Sequence, residues 1–224
     1  MFSDADLLRA YDRHLRFDAE VLGATRVSVD GPLVRAFFGE TGFVTHRSLE
    51  GVDGLGDLVA ETIAFFASHG VAEFEWKTRS HDRSPGLIGA LLAHGLLPEE
   101  QETVMVGPVT LELDAELPPG VSIRLDRQDG RVTHWIAEVD DEVVGVGRLE
   151  LVPGTPFAGL WGGATDPEWR GRGVYRALTA ARAAHAAAHG VRLLHSDCLP
   201  TSRPILERAG LRPVTTTTPY VWRG

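Results

Sequence analysis

Residues 165–178 read TDPEWRGRGVYRAL. Upstream lies a short apolar run, Phe157 to Ala164, and downstream an alanine-rich stretch, Arg176 to Ala188, with helical composition. The spacing predicts a strand, a glycine-rich turn and a long helix. Such a turn collects backbone N–H groups around one point, and the helix adds its own unpaired N–H groups and the positive end of its dipole. The product is an anion site suited to a phosphate or pyrophosphate. Gly171 and Gly173 admit close backbone approach, while Arg170, Arg172 and Arg176 concentrate positive charge. The spacing is not that of a nucleoside-triphosphate loop, since no lysine lies near it. Nor does it follow the dinucleotide-binding Gly-x-G-x-x-Gly pattern.

Working outward, the chain shows one grammar twice. His69-Gly70-Val71 and His189-Gly190-Val191 stand 120 residues apart, each closing a helical stretch. Val71 to Trp76 and Val191 to His195 follow as expected strands. Helices from about Pro85 to His94 and Ser202 to Ala209 then stop at Gly95 and Gly210. Each half opens with short β-rich runs: Arg26 to Val29, Leu33 to Phe38 and Phe43 to Arg47 in the first. In the second they are Val121 to Leu125, Thr133 to Val139 and Val143 to Leu151. Leu113 to Gly120, with its Pro118-Pro119-Gly120, reads as the junction. Expected are two units, residues 1–113 and 114–224, in an α/β (α+β) fold with a mixed central sheet flanked by helices, duplicated along the chain.

Asp166 to Gly173 resembles the acetyl-CoA loop of the GNAT superfamily of N-acyltransferases, Arg/Gln-x-x-Gly-x-Gly/Ala. Ser202 to Leu211 is similar to the later family segment ending in Gly-Phe. The likeness covers about Val121 to Trp222. It implies an enzyme that moves an acetyl group from acetyl-CoA, as co-substrate, to an amine acceptor by direct attack on the thioester, with a small-molecule primary amine the expected acceptor. It implies two central parallel strands that splay, the pantetheine arm pairing with backbone at Gly163, Ala164 and Thr165. The pyrophosphate would lie on Arg170, Gly171, Arg172, Gly173, Val174, Tyr175 and Arg176, with Ser202 beside the arm. The first half is similar to a degenerate copy: Gly51, Gly54 and Gly56 occur between Val44 and Leu58, without an arginine-led loop.

The chain departs from the family pattern at four places. Tyr175 stands at the sixth loop position, Leu206 where a tyrosine acid often lies, Leu199 at an asparagine position and Gly159 at a strand carboxylate. A base has to relay only one proton. Asp197 and Glu150 are the candidate catalytic carboxylates; a turn cap before Pro200 and a solvated strand end are their plainer roles. His195 shares a face with Asp197 where the cleft should open and is a further candidate base, with packing between sheet and helix as its plainer role. His134 and Glu138 share one face of their strand, with plain surface as the alternative, and Trp161 is a candidate wall of an acceptor pocket, with a buried core position as its plainer role. A non-catalytic acyl-CoA-binding module is the alternative.

Composition limits the rest. A formal net charge of −9 argues against a nucleic-acid partner. Only Lys77 among the 22 Lys and Arg residues is lysine, which a GC-rich codon bias explains. The single cysteine, Cys198, excludes an internal disulfide and a cysteine-rich metal site; no metal is expected. No apolar run suggests a signal peptide or a membrane partner, so a cytoplasmic location is expected. The reading leaves the oligomeric state open, a homodimer included. Ser3 and Asp6 form a candidate capping box for a helix over Met1 to Arg16.

Overall fold

The structure, a computed structural model, describes residues 2–111, 113 and 116–224. In chain order the elements are α1 (Asp4–His14), β1 (Arg26–Asp30), β2 (Leu33–Phe38), β3 (Thr41–His46), α2 (Leu55–Ser68), β4 (Glu73–Arg79), α3 (Leu87–Ala93), β5 (Leu97–Pro98) and β6 (Glu102–Pro108). There follow β7 (Ser122–Asp129), β8 (Val132–Val139), β9 (Glu142–Leu151), β10 (Phe157–Thr165), a 3₁₀ turn (Pro167–Trp169), α4 (Val174–Ala188), β11 (Leu193–Cys198), α5 (Arg203–Arg208) and β12 (Arg212–Arg223).

Two compact units emerge. One comprises Met1–His14 with Thr103–Val214, the other Leu15–Glu102 with Thr215–Gly224. The expectation of a linear division at 113/114 differs from this, because the first helix and the last strand each join the unit distant in sequence. Met1 of the expected first helix, and Asp114 and Ala115 of the expected junction, lie outside the described residues.

The unit holding residues 15–102 has strand order β1-β2-β3-β4-β12, with β5 beside β12. Neighbours are antiparallel except β3 and β4, which run parallel over Thr41–Val44 and Glu73–Trp76. Its core gathers Leu33, Val59, Phe66, Phe74, Trp76 and Leu91, with Phe66 stacked on Phe74 at 4.7 Å. The strand expected at Val71 begins two residues later. Val71 N–H instead returns to the Phe66 carbonyl (3.1 Å) and Gly70 N–H to Ala67 (3.0 Å), the paired bonds that close a helix through a left-handed glycine.

The unit holding residues 103–214 has strand order β6-β11-β10-β9-β8-β7, again antiparallel except for β10 and β11. The same closure ends α4: Val191 N–H bonds the Ala186 carbonyl (3.2 Å), so β11 starts at Leu193 and runs on to Cys198. One face of the sheet packs on α4 through Leu149, Leu160, Ala183, Ala186 and Leu194. α1 begins at the expected capping box: Asp6 N–H reaches Ser3 Oγ at 3.2 Å and Ser3 N–H reaches Asp6 Oδ2 at 3.0 Å. Leu7 and Tyr11, one turn apart, are its buried stripe.

Candidate functional site

The site begins where β10 and β11 part. Their parallel ladder covers only Phe157–Gly159 against Leu193–His195, although β10 continues to Thr165. Just past the last rung, the buried Ser196 hydroxyl donates to the Leu160 carbonyl at 2.9 Å. A side chain thus takes over from the ladder and lets the strands diverge without orphaning that carbonyl. β10 stays paired with β9 to Thr165, but with a bulge between Trp161 and Ala164 that includes Gly162 at φ 55°. Gly163 and Ala164 are exposed along this edge.

A buried cation supports the bulge. Arg182 is 1% exposed and donates to the carbonyls of Leu178 (3.1 Å), Arg148 (3.1 Å) and Trp161 (3.4 Å), and to Thr179 Oγ1 (3.2 Å). No carboxylate among the described residues pairs with it, and burial lowers its pKa to about 10, so it stays protonated at neutral pH. Arg182 is not among the site residues expected from the sequence. The signal was present: Val174, Leu178 and Arg182 recur every four residues, which puts the arginine on the sheet-facing stripe of α4.

The loop after β10 is built as the glycines require. Asp166 caps the 3₁₀ turn through Glu168 N–H (3.0 Å), and Gly173 caps α4 at φ 93°. Gly171 has φ 74° and open space where a side chain would stand. Arg170 Nε donates to the Thr165 carbonyl at 3.1 Å, and the Arg172 guanidinium lies 5.0 Å from the Trp169 ring centre. Among the described residues no carboxylate pairs with Arg170, Arg172 or Arg176, whereas Arg131 and Arg203 each hold one and Arg124 holds two. Thr165 Oγ1 is buried with no hydrogen-bond partner among them. Three uncompensated guanidinium groups, a helix N-terminus and an orphaned hydroxyl fit a pyrophosphate.

Tyr175, the sixth loop residue, turns inward. Its ring lies against Gly163, Cε2 being 2.7 Å from where a Cβ would stand. The half-buried phenol sits near Ser202, Arg182 and Cys198, and burial raises its pKa. The ring therefore reaches across the split from β10 towards the start of α5.

These features decide the family. A model of the acetyltransferase (GNAT) family matches residues 99–210. The chain belongs to the GNAT acetyltransferases. The fold is shared with a GCN5-related N-acetyltransferase from Kribbella flavida, at 18% identity and a TM-score of 0.73 over 100% of this chain and 97% of that one. A GCN5-related N-acetyltransferase from Sphaerobacter thermophilus is similar at 17% identity and a TM-score of 0.64, covering 86% and 76%. A tandem GNAT protein from the clavulanic acid biosynthesis pathway is similar at 14% identity and a TM-score of 0.62, covering 85% and 78%. A comparison with curated proteins gives no match. The family uses acyl-CoA, which the phosphate end of this GNAT site fits.

The remaining candidates are distributed as follows. Glu150 faces Gly159 across the β9–β10 ladder and accepts from Arg131 Nε (3.2 Å) and Nη2 (3.1 Å), so it is a paired carboxylate rather than a solvated strand end. Asp197 is half-buried on β11, opposite Val104 of β6. Ser202 Oγ donates to the Leu199 carbonyl at 3.2 Å. Leu206 is buried in the core under α5 and Cys198 is buried beside it. His134 contacts Arg127 (3.2 Å), and Glu138 accepts from Arg124 (3.0 Å), both on the β7–β8 hairpin. Among the described residues no group of His, Cys, Asp and Glu converges as a metal site, and no helix is long and apolar enough to cross a membrane.

Proposed function

We propose that this GNAT acetyltransferase carries the acetyl group of acetyl-CoA to the primary amine of a small molecule. The observation that carries the reading is the cluster of Arg170, Arg172 and Arg176, uncompensated by any described carboxylate, at the N-terminus of α4 beside the splayed edge of β10. In this reading the N–H groups from Arg172 to Arg176 hold the pyrophosphate. Gly163, Ala164 and Thr165 offer backbone groups to the pantetheine arm, and Ser202 lines its other side. The deprotonated amine attacks the thioester carbonyl, whose developing oxyanion a backbone N–H of the bulge stabilises.

The unit of residues 15–102 and 215–224 is proposed as a degenerate copy of the same fold. Support comes from its order of strand, helix, parallel strand and short helix, and from a tandem GNAT among the similar structures. Its helix α2 also starts at a left-handed glycine, Gly54, but no arginine stands in the preceding turn from Leu49 to Gly54.

A second reading, an acyl-CoA-binding module without turnover, draws on Leu206 in the core and on the Tyr175 ring over Gly163. Calorimetric titration with acetyl-CoA, desulfo-CoA and ATP tests the cofactor, followed by acetyl-CoA consumption over a panel of amines. Selective CoA binding with turnover of an amine supports acetyl transfer. Binding without turnover across the panel supports the module, and no CoA binding removes both.

A further inference from the structure

We propose that β1 is the interface of a homodimer, in which two copies of the chain pair their β1 strands antiparallel about a twofold axis at Ser28. β1 ends the strand order, and among the described residues only β2 pairs with it. The two-residue turns at Gly31-Pro32 and Gly39-Glu40 fix which backbone groups β2 takes up. Each turn closes on a hydrogen-bonded pair, Asp30 with Leu33 and Phe38 with Thr41, and such pairs alternate along an antiparallel ladder. Arg26, Ser28 and Asp30 therefore direct their N–H and C=O groups at β2. Val27 and Val29 turn theirs outward, and neither makes a backbone bond there with any described residue.

An open strand edge is a template for pairing with another chain, and the sequence of this one selects a second copy. Run against itself, Arg26-Val27-Ser28-Val29-Asp30 is self-complementary. With Ser28 facing Ser28 of the second copy, Arg26 stands opposite Asp30 and Val27 opposite Val29, each on both sides of the axis. The outward backbone groups meet in the same register, since Val27 and Val29 form hydrogen-bonded pairs that exchange both bonds. A slip by two residues breaks the charge pairing and shortens the ladder.

The side chains agree with this register. Val27 and Val29 share the face on which Ala36 and Val34 are buried, yet they are 44% and 71% exposed. Val29 is the most exposed large apolar residue among those described. Valines opposed across the new ladder would cover both. On the other face Arg26 is exposed, its guanidinium 5.5 Å from the Phe37 ring centre, and no described carboxylate pairs with it. Asp30 is 69% exposed although Arg35 approaches it at 3.3 Å, so its carboxylate has room to accept from Arg26 of the second copy. The other end of the strand order is guarded instead. β7 is bulged between Leu125 and Arg127 and carries Arg124, Asp126, Arg127 and Asp129, devices that keep edges apart, whereas the register of β1 is unbroken.

A strand of five residues makes a small interface, in the class below about 1,200 Å², so the dimer should depend on concentration. Sedimentation velocity of the full chain from about 1 to 200 µM should show monomer at the dilute end and dimer at the concentrated end. V29P removes an N–H that the β1–β2 ladder does not use. It should weaken the dimer by about tenfold or more and leave urea unfolding unchanged. R26E sets like charges opposite each other and should weaken it by about threefold or more, less so at high salt. S28C tests the register itself. Cα atoms of a non-hydrogen-bonded antiparallel pair lie about 4.5 Å apart, within the span of a disulfide. Cys198, the only cysteine, is buried, so under diamide S28C should cross-link several-fold faster than V27C, which has no cysteine opposite it. A chain that stays monomeric over the whole range overturns the proposal. So does a V29P or R26E dimer as tight as the parent's, or S28C that cross-links no faster than V27C. Should V29P fail to fold, R26E and S28C decide.

Discussion

The ring of Tyr175 lies on Gly163, its Cε2 2.7 Å from where a side chain there would begin. This one contact joins the first turn of α4 to the exposed edge of β10, in the space that a pantetheine arm would need. A side chain at 163 would collide with the ring, so the two positions are coupled by shape. Burial raises the pKa of the phenol and keeps it neutral through the physiological range.

If the ring must leave Gly163 for CoA to bind, Tyr175→Ala removes the cost of displacing it. Covering that little apolar surface is worth on the order of 1 kcal/mol, so CoA affinity should rise by roughly fivefold. Adenosine 3′,5′-bisphosphate, which has no pantetheine, should bind both forms alike. Calorimetry with the two ligands checks this; weaker CoA binding in the variant would instead make the ring a wall on which the arm packs.

Gly173 offers a second test of the loop. Its φ of 93° disfavours any side chain, and a Cβ would lie 3.0 Å from the Glu116 carbonyl. Gly173→Val should therefore shift the N-terminal N–H groups of α4, strain of about 1–3 kcal/mol, and weaken CoA binding at least tenfold. Gly171→Ala has a similar φ of 74° but open space around it, so the loss should be smaller. Equal affinities for the two variants and the parent chain would remove the loop from the binding site.

The loop and the helix ends were legible in the sequence because glycine at a positive φ leaves a local signature. Gly70, Gly95, Gly190 and Gly210 all close helices as read. What followed each glycine was less legible: Val71 and Val191 are strand-forming residues, yet their N–H groups are consumed by the helix cap. β4 runs past the expected end at Trp76 to Arg79, which is buried on a bond to Glu20. Membership of α1 and β12 in their units depends on contacts remote in sequence, and nothing local announces it. At the site, the alignment of Glu150, Gly159 and His195 in one row depends on strand register across three strands, which the chain reveals only once it is folded.

Arg182 should matter to both stability and binding. Arg182→Ala leaves the carbonyls of Arg148 and Trp161 without their donor and opens a cavity under the bulge. Each buried unsatisfied acceptor costs about 1–3 kcal/mol, so a loss of about 3 kcal/mol or more is expected from urea unfolding. CoA affinity should fall as well, since the bulge orients Gly163 and Ala164. Arg182→Lys, with one charged nitrogen for three, should lie between the two. A variant as stable as the parent would mean that the bulge holds itself.

His46 gives the unit of residues 15–102 a pH dependence of its own. It is fully buried, with Nδ1 accepting from Trp76 Nε1 at 3.2 Å and Nε2 3.3 Å from Ser84 Oγ and 3.4 Å from Asp82 Oδ2. Burial, opposed in part by Asp82, lowers its pKa from 6.5 to about 4. The unfolded chain then binds the proton more readily than the folded one. Stability is complete above pH 6.5 and falls as the pH drops towards 4, by 1.36 kcal/mol for each unit between the two values, about 3 kcal/mol in all. Urea unfolding of the parent chain between pH 7.5 and 4 should show this decline over and above that of the carboxylates. His46→Gln should be less stable at pH 7.5, because the Trp76 and Asp82 contacts are disturbed, but should lose the part of the slope between pH 6.5 and 4 that belongs to this residue. Parallel slopes in the two proteins would mean that the folded state accommodates the charged imidazole, with Asp82 compensating it despite the burial.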